Sequence, residues 1–126
     1  MQKKAICLIT FSDFDAHTSP LFFELKLLKL QDHIKLQTLY FMHQFFTVKV
    51  PKIFDSFFIK TSDKHNVNTR FAIRTTFYVP KIRRNHGKFN IRYNGFILWN
   101  ETGERFKILT PHLFKKELTM HFIKFY

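Results

Sequence analysis

The chain is short of cysteine and glycine. Among its 126 residues there are one cysteine, three glycines and four prolines. A single cysteine excludes an internal disulfide, so a disulfide-stapled miniprotein is ruled out and a reducing compartment is expected. The scarcity of glycine argues against collagen, flexible linkers and enzymes that hold a nucleotide in a glycine-rich loop. We therefore expect an intracellular protein, nuclear or cytoplasmic and not secreted.

Acidic residues are also scarce: the chain has nine Asp and Glu and 21 Lys and Arg, so its formal net charge is +12. The excess is uneven: residues 1–46 carry +1 and residues 47–126 carry +11. From position 64 to position 92 the sequence has no acid and eight cations, namely Lys64, Arg70, Arg74, Lys81, Arg83, Arg84, Lys88 and Arg92. A run of cations without acids creates a positive electrostatic potential that attracts polyanions. These eight are therefore the predicted nucleic-acid-binding residues, and RNA or DNA phosphate is the predicted partner. The alternative is a solvated basic surface.

Long hydrophobic runs and recognisable catalytic motifs are missing as well. No segment approaches the ~18 apolar residues of a membrane span, so no membrane is expected as a partner. The seven histidines include no pair at helical spacing, and one cysteine supplies no second thiol ligand. Asp13 and Asp15 flank Phe14 in a turn, where carboxylates usually cap or face solvent. We predict no catalytic residue, metal site, cofactor or small-molecule substrate, and no enzyme activity for this chain alone.

What the chain has in abundance is phenylalanine, 18 residues, within a hydrophobic fraction of 45% that is typical of globular proteins. Helical spacing or proline-marked starts predict helices over residues 2–11, 21–25, 31–46 and 51–58, with Asp32 as a cap for the third. Residues 61–84 show no helical period, 71–79 have strand-like content, and Asn94-Gly95 interrupts residues 89–99. The last helix follows Thr110-Pro111. Its apolar stripe is Phe114, Leu118, Phe122 and Phe125.

These elements predict a mainly α fold: a small irregular helical domain with short helices, a long basic loop or extended segment in the middle, and a C-terminal amphipathic helix. We expect residues 1–126 to form a single domain or fragment. Its parts are a helical region, 1–60, a basic segment, 61–93, and a Trp-containing region with the last helix, 94–126.

Aromatic residues are interleaved with the basic segment. They are Phe71, Phe77, Tyr78, Phe89 and Tyr93. Exposed aromatic faces can stack on unpaired bases, whereas buried ones would fill a small core, and the sequence leaves both interpretations open.

Several blocks, in order along nearly the whole chain, resemble a late region of non-LTR (LINE-type) retrotransposon reverse transcriptases. The most specific are Asn68-Thr69-Arg70 and the spaced block Ile91-Arg92-Tyr93, Gly95 and Trp99-Asn100. Further similar blocks lie at residues 3–10, 17–22, 24–30, 35–42, 87–88 and 114–118.

The resemblance implies a C-terminal region that follows the catalytic palm of an RNA-directed DNA polymerase. It also implies a reverse transcriptase core as a partner. No metal-binding aspartate of the family carries over to this chain, because Asp13 and Asp15 do not match the family's motif. One hypothesis is thus a nucleic-acid-associated fragment that lacks the polymerase active site. The alternatives are a non-functional relict of a truncated retroelement and a small interaction module without catalytic activity. The 31–46 helix favours the relict, because its apolar surface is too wide for one neighbour.

Overall fold

The structure is a computed structural model, and it describes residues 1–47, 50–64 and 77–126. Most of these residues are helical, which confirms the predicted mainly α fold. The α-helices are α1 (Gln2–Ile9), α2 (Thr18–Glu24), α3 (Leu30–Phe46), α4 (Thr61–Lys64), α5 (Ile91–Glu101), α6 (Glu104–Lys107) and α7 (Pro111–Ile123). Two 3₁₀ helices span Lys52–Phe54 and Asn85–Phe89. Within the described ranges, extended backbone pairs at one antiparallel bridge, between Lys60 and Phe77.

The longest helix, α3, lies at the centre of the domain. It packs against both α5 and α7, and Leu36, Leu39 and Met42 from α3 join Trp99 and Phe114 in one buried cluster. α5 and α7 cover part of the apolar surface of α3, whereas Leu30 and Ile34 at its start stay 60% and 55% exposed. The sequence indicated that this surface is too wide for one neighbour, and in the described residues α5 and α7 supply two, which are distant in sequence and converge only in the fold.

Phenylalanine fills this core as stacked rings. Phe77 lies nearly parallel to Phe96 of α5, with centroids 4.7 Å apart and planes 12° apart. Phe46 of α3 stacks on Trp99 in the same way, at 4.9 Å and 16°. Phe46 and Phe77 are themselves 4.9 Å apart, so the two stacks form one continuous row. Each such pair stabilises the fold by roughly 0.5–1.5 kcal/mol beyond the effect of buried area.

Gly95 lies inside α5, where the sequence predicted a break. The helix runs without interruption, and a Cβ built on Gly95 would lie 3.2 Å from Met42 Sδ and 3.5 Å from Thr38 Cγ2 of α3. The missing side chain thus lets two helices approach closely. The predicted interruption was wrong because this glycine lies at a close contact between α5 and α3, and glycine inside a helix costs only about 1 kcal/mol relative to alanine.

The start of α3 is capped by distant side chains. The backbone N–H of Lys29 donates to the Tyr126 hydroxyl at 2.9 Å, and the N–H of Leu30 donates to Gln2 Oε1 at 2.9 Å. Asp32, the predicted cap, lies in the first helical turn instead and accepts from the Tyr126 hydroxyl at 2.8 Å. Tertiary contacts therefore replace the local cap, which is why the sequence pattern misplaced it.

Shorter helices differ from prediction at their ends. Helix α2 begins at Thr18, three residues before the predicted start, because Pro20 lies within the first turn, where its missing N–H costs nothing. The predicted 51–58 helix is a single 3₁₀ turn, which leaves Ile53 and Phe57 exposed. Helices α4 and α6 have four residues each, too few to give a sequence period.

Burial along the outer helices follows the prediction in part. In α1, Ile6 and Cys7 are buried, whereas the neighbouring Leu8 and Ile9 are exposed. In α7, Phe114 and Leu118 are buried as predicted, whereas Phe125 lies beyond the helix end and is 76% exposed. The helical period stops at Ile123, so a residue past it no longer points toward the core.

Replacing Gly95 by leucine tests the close approach of α3 and α5. The added side chain would meet Met42 and Thr38, and we expect Gly95→Leu to lower the free energy of unfolding by about 1–3 kcal/mol. Gly103→Leu is the matched control, because a Cβ there would meet only Phe106 at 3.9 Å. Urea unfolding measures both. Equal losses in the two variants would contradict the packing role of Gly95.

The Tyr126 contacts predict a pH dependence at the alkaline end. Burial raises the pKa of Tyr126 to about 12, helped by Asp32 and opposed by the Lys29 N–H. The unfolded chain loses this proton near the ordinary pKa of about 10, so the stabilisation is intact below pH 10 and is lost toward pH 12. Unfolding free energies of the wild type and Tyr126→Phe should therefore converge as pH rises from 10 to 12. Parallel curves would contradict this account.

Candidate nucleic-acid interface

The basic segment is attached to the core at Phe77. The side-chain oxygen of Asn100 accepts from the Phe77 N–H at 2.9 Å, and its amide donates to the Phe77 carbonyl at 2.9 Å. Next to this clamp, the Tyr78 N–H donates to the Ile59 carbonyl at 3.0 Å. Because Phe77 is also 1% exposed, the chain that follows it starts from a fixed point.

The same segment is attached again where α5 begins. Asn90 caps the helix, because its side-chain oxygen accepts from the Arg92 N–H at 3.0 Å. Just before it, a Cβ on Gly87 would lie 2.5 Å from Ile82 Cγ2. Only glycine therefore lets the 3₁₀ helix Asn85–Phe89 pack this closely against Ile82. Residues 78–90 thus form a loop that is attached at both ends and folded against itself.

A groove of about 390 Å³ opens in this loop. Its lining residues are Pro80, Lys81, Ile82, Arg83, Gly87, Asn90, Arg92 and Tyr93. Three of the predicted cations, Lys81, Arg83 and Arg92, therefore converge on one cavity. This lining contains no acid, and residues 77–100 contain none in the sequence. The cations' fields add in the groove without local neutralisation, which makes it an attractive site for phosphate.

Arg92 is the most constrained of these cations. Its guanidinium carbon lies 5.7 Å from the centre of the Phe57 ring, and its Nε is buried without a hydrogen-bond partner in the described part of the chain. A guanidinium held against a ring keeps its planar set of donors in one orientation, and such donors match phosphate oxygens. Arg92 can therefore present a preoriented donor group to the groove.

The other predicted cations divide into three groups. Arg84, which precedes the 3₁₀ turn, and Lys88 within it are exposed beside the groove, where they extend its positive field. Lys64 does not line the groove, and its Nζ lies 3.5 Å above the ring of Tyr78. Arg70 and Arg74 lie outside the described residues.

The interleaved aromatic residues take both of the roles left open by the sequence. Phe77 is core, and Tyr78 is half-buried beneath Lys64. Phe89 is 85% exposed, and Tyr93 is half-buried in the groove wall. The remaining one, Phe71, lies outside the described residues.

Several residues that build the site were not predicted. Asn90 precedes an apolar-periodic stretch and so had a local signal, because asparagine is a preferred N-cap. Phe57 had none, since it reaches Arg92 from a part of the chain 35 positions earlier. Asn100 belonged to the resembling block, but nothing local indicated that its amide would clamp a backbone 23 residues away.

Other kinds of site find little support in the described ranges. No group of three His, Cys, Asp or Glu side chains there could hold a metal ion. Asp13 and Asp15 are exposed. No helix among the described residues is both long and apolar enough to cross a membrane. No protein-family model, curated protein or solved structure matches the chain.

Proposed function

We propose that this chain is a nucleic-acid-associated module that binds the phosphate backbone of RNA or DNA at the basic groove. The observation that carries the proposal is the convergence of Lys81, Arg83 and Arg92 on one acid-free cavity. Each phosphate that these side chains neutralise releases counterions, which favours binding at low salt. The fixed attachment of the loop lowers the entropy cost of ordering it around a ligand.

We propose further that the chain is a C-terminal fragment resembling that of a non-LTR retrotransposon reverse transcriptase, without the polymerase active site. One of the resembling blocks, residues 91–100, contributes to this site and to its attachment. Arg92 and Tyr93 line the groove, whereas Trp99 fills the core and Asn100 holds Phe77. In such an enzyme, the module would hold the RNA template or primed DNA beside a reverse transcriptase core.

A salt series with matched charge variants tests phosphate binding. Fluorescence anisotropy of labelled single-stranded RNA should give a linear fall of log affinity with log salt concentration, with a slope of about −0.7 per phosphate contact. Replacing Lys81 and Arg83 by glutamine should make this slope shallower by about 1.4. Replacing Lys3 and Lys4, exposed cations of α1, removes the same charge and should change it less.

Two results would contradict the proposal. One is a wild-type slope near zero, which would mean that no phosphate contact forms. The other is an equal change in both double variants, which would mean that the net charge binds RNA and the groove has no special part.

A small interaction module, or a relict without a role, remains the second candidate. It is favoured by large apolar side chains left in solvent, among them Phe11 at 97% and Ile108 at 84% exposure. Where such side chains form a contiguous patch, they are typical of a surface that meets another protein. The apolar surface of α3 gives it less support than the sequence indicated, because α5 and α7 pack on that helix and leave Leu30 and Ile34 as its exposed apolar residues.

A further inference from the structure

We infer that the groove accepts an unpaired nucleotide of a single strand, whose base stacks on Tyr93 or Phe89 while its phosphates meet the groove cations. This inference rests on the proposed function and specifies its ligand. The ligand class is single-stranded nucleic acid, and the recognised features are a phosphate and an accessible base face.

Two aromatic rings, Phe89 and Tyr93, lie in this region. Phe89 is 85% exposed at the end of the 3₁₀ turn, and Tyr93 lies four residues further on, half-buried in the groove wall. In the described part of the chain, neither ring contacts another ring or a cation. The core phenylalanines, by contrast, are stacked on one another, as Phe77 is on Phe96. Phe89 and the exposed part of Tyr93 therefore offer aromatic surface that no other ring of the fold covers.

The two rings belong to the same acid-free stretch as the groove cations. Phe89 directly follows Lys88 and Tyr93 directly follows Arg92 in the sequence, and Tyr93 lines the groove together with three cations. Among other exposed rings, Phe14 stands between two aspartates, and Phe125, although it follows Lys124, lies outside the groove lining. Aromatic surface among cations suits a ligand that alternates flat bases with phosphates.

The groove wall also contains hydrogen-bond donors. Asn90 uses its side-chain oxygen to cap α5, so its NH₂ group is the part left to bind a ligand in the groove. The first turn of α5 contains no acidic residue that would repel phosphate. Donors from Asn90 and Arg92 thus lie beside the ring of Tyr93 in the same wall.

The preference for a single strand follows from stacking. In a duplex each base is stacked on its neighbours, and separating one step costs a few kcal/mol. An unpaired strand has base faces available, and each base stacked on a ring raises affinity by roughly tenfold or more. A groove that contacted only phosphates would show no such preference.

Anisotropy with matched probes tests this inference on the full chain. The probes are a labelled oligouridylate, the corresponding abasic strand, and a duplex of oligouridylate with oligoadenylate. We expect the oligouridylate to bind about tenfold tighter than the abasic strand, and tighter than the duplex. Oligothymidylate is the DNA counterpart, and it should show the same gain over its own abasic strand if the stacked base, rather than the sugar, is recognised.

Substitutions then locate the stack. Phe89→Leu and Tyr93→Leu should each weaken oligouridylate binding several-fold and leave abasic-strand binding unchanged, whereas Tyr93→Phe should bind as the wild type does. Phe125→Leu is the matched control, because Phe125 is similarly exposed, at 76%, outside the groove lining. Because Phe89 is almost fully exposed, its variant should fold normally, which circular dichroism checks.

The outcomes separate this inference from the proposed function. Equal affinity for oligouridylate and its abasic strand, with a normal salt slope, would overturn base stacking and leave phosphate binding intact. A duplex that binds tighter than the single strand would overturn the inference in the same way. No binding of any probe at low salt would overturn both proposals.

Discussion

The structure depends on one continuous row of stacked aromatic rings beside α3. Phe96 stacks on Phe77, Phe77 touches Phe46, and Phe46 stacks on Trp99. These rings come from α3, from α5 and from the end of the basic segment, so removing one would loosen all three at once. A chain with few glycines and no disulfide thus gains its rigidity from large flat side chains, which bury much area at little entropy cost.

That row of rings also determines where the basic loop can lie. Phe77 is held by its ring in the core and by its backbone on Asn100, and the loop then returns to α5 at Asn90. Repulsion among cations opposes such folding, and the two attachments offset it. Two of the three glycines stand where chains must come close: Gly95 lies against α3, and Gly87 lies against Ile82. The same contacts therefore determine both the packing of the core and the geometry of the groove.

Local signals in the sequence were enough for the fold class, the long α3 and the proline-started α7. They were also enough to locate the acid-free run of cations, three of which line the groove. They failed where a residue's role is set by a partner far along the chain. Gly95 looked like a break because Met42 is 53 positions away, and Asp32 looked like a cap because Tyr126 is 94 positions away. For the same reason, the sequence did not separate the buried Phe77 from the exposed Phe89, because the rings that bury Phe77, those of Phe46 and Phe96, are 31 and 19 positions away.

The central claim is that nucleic acid lies on the face formed by residues 81–93. Ultraviolet crosslinking of oligouridylate to the full chain, followed by mass spectrometry of the peptides, tests it most directly, because crosslinks form only where a base touches a side chain. The account predicts that crosslinked uridine maps to Phe89 and Tyr93. Crosslinks concentrated at Phe11 and Phe14, which are 97% and 72% exposed and belong to the nearly neutral residues 1–46, would contradict it.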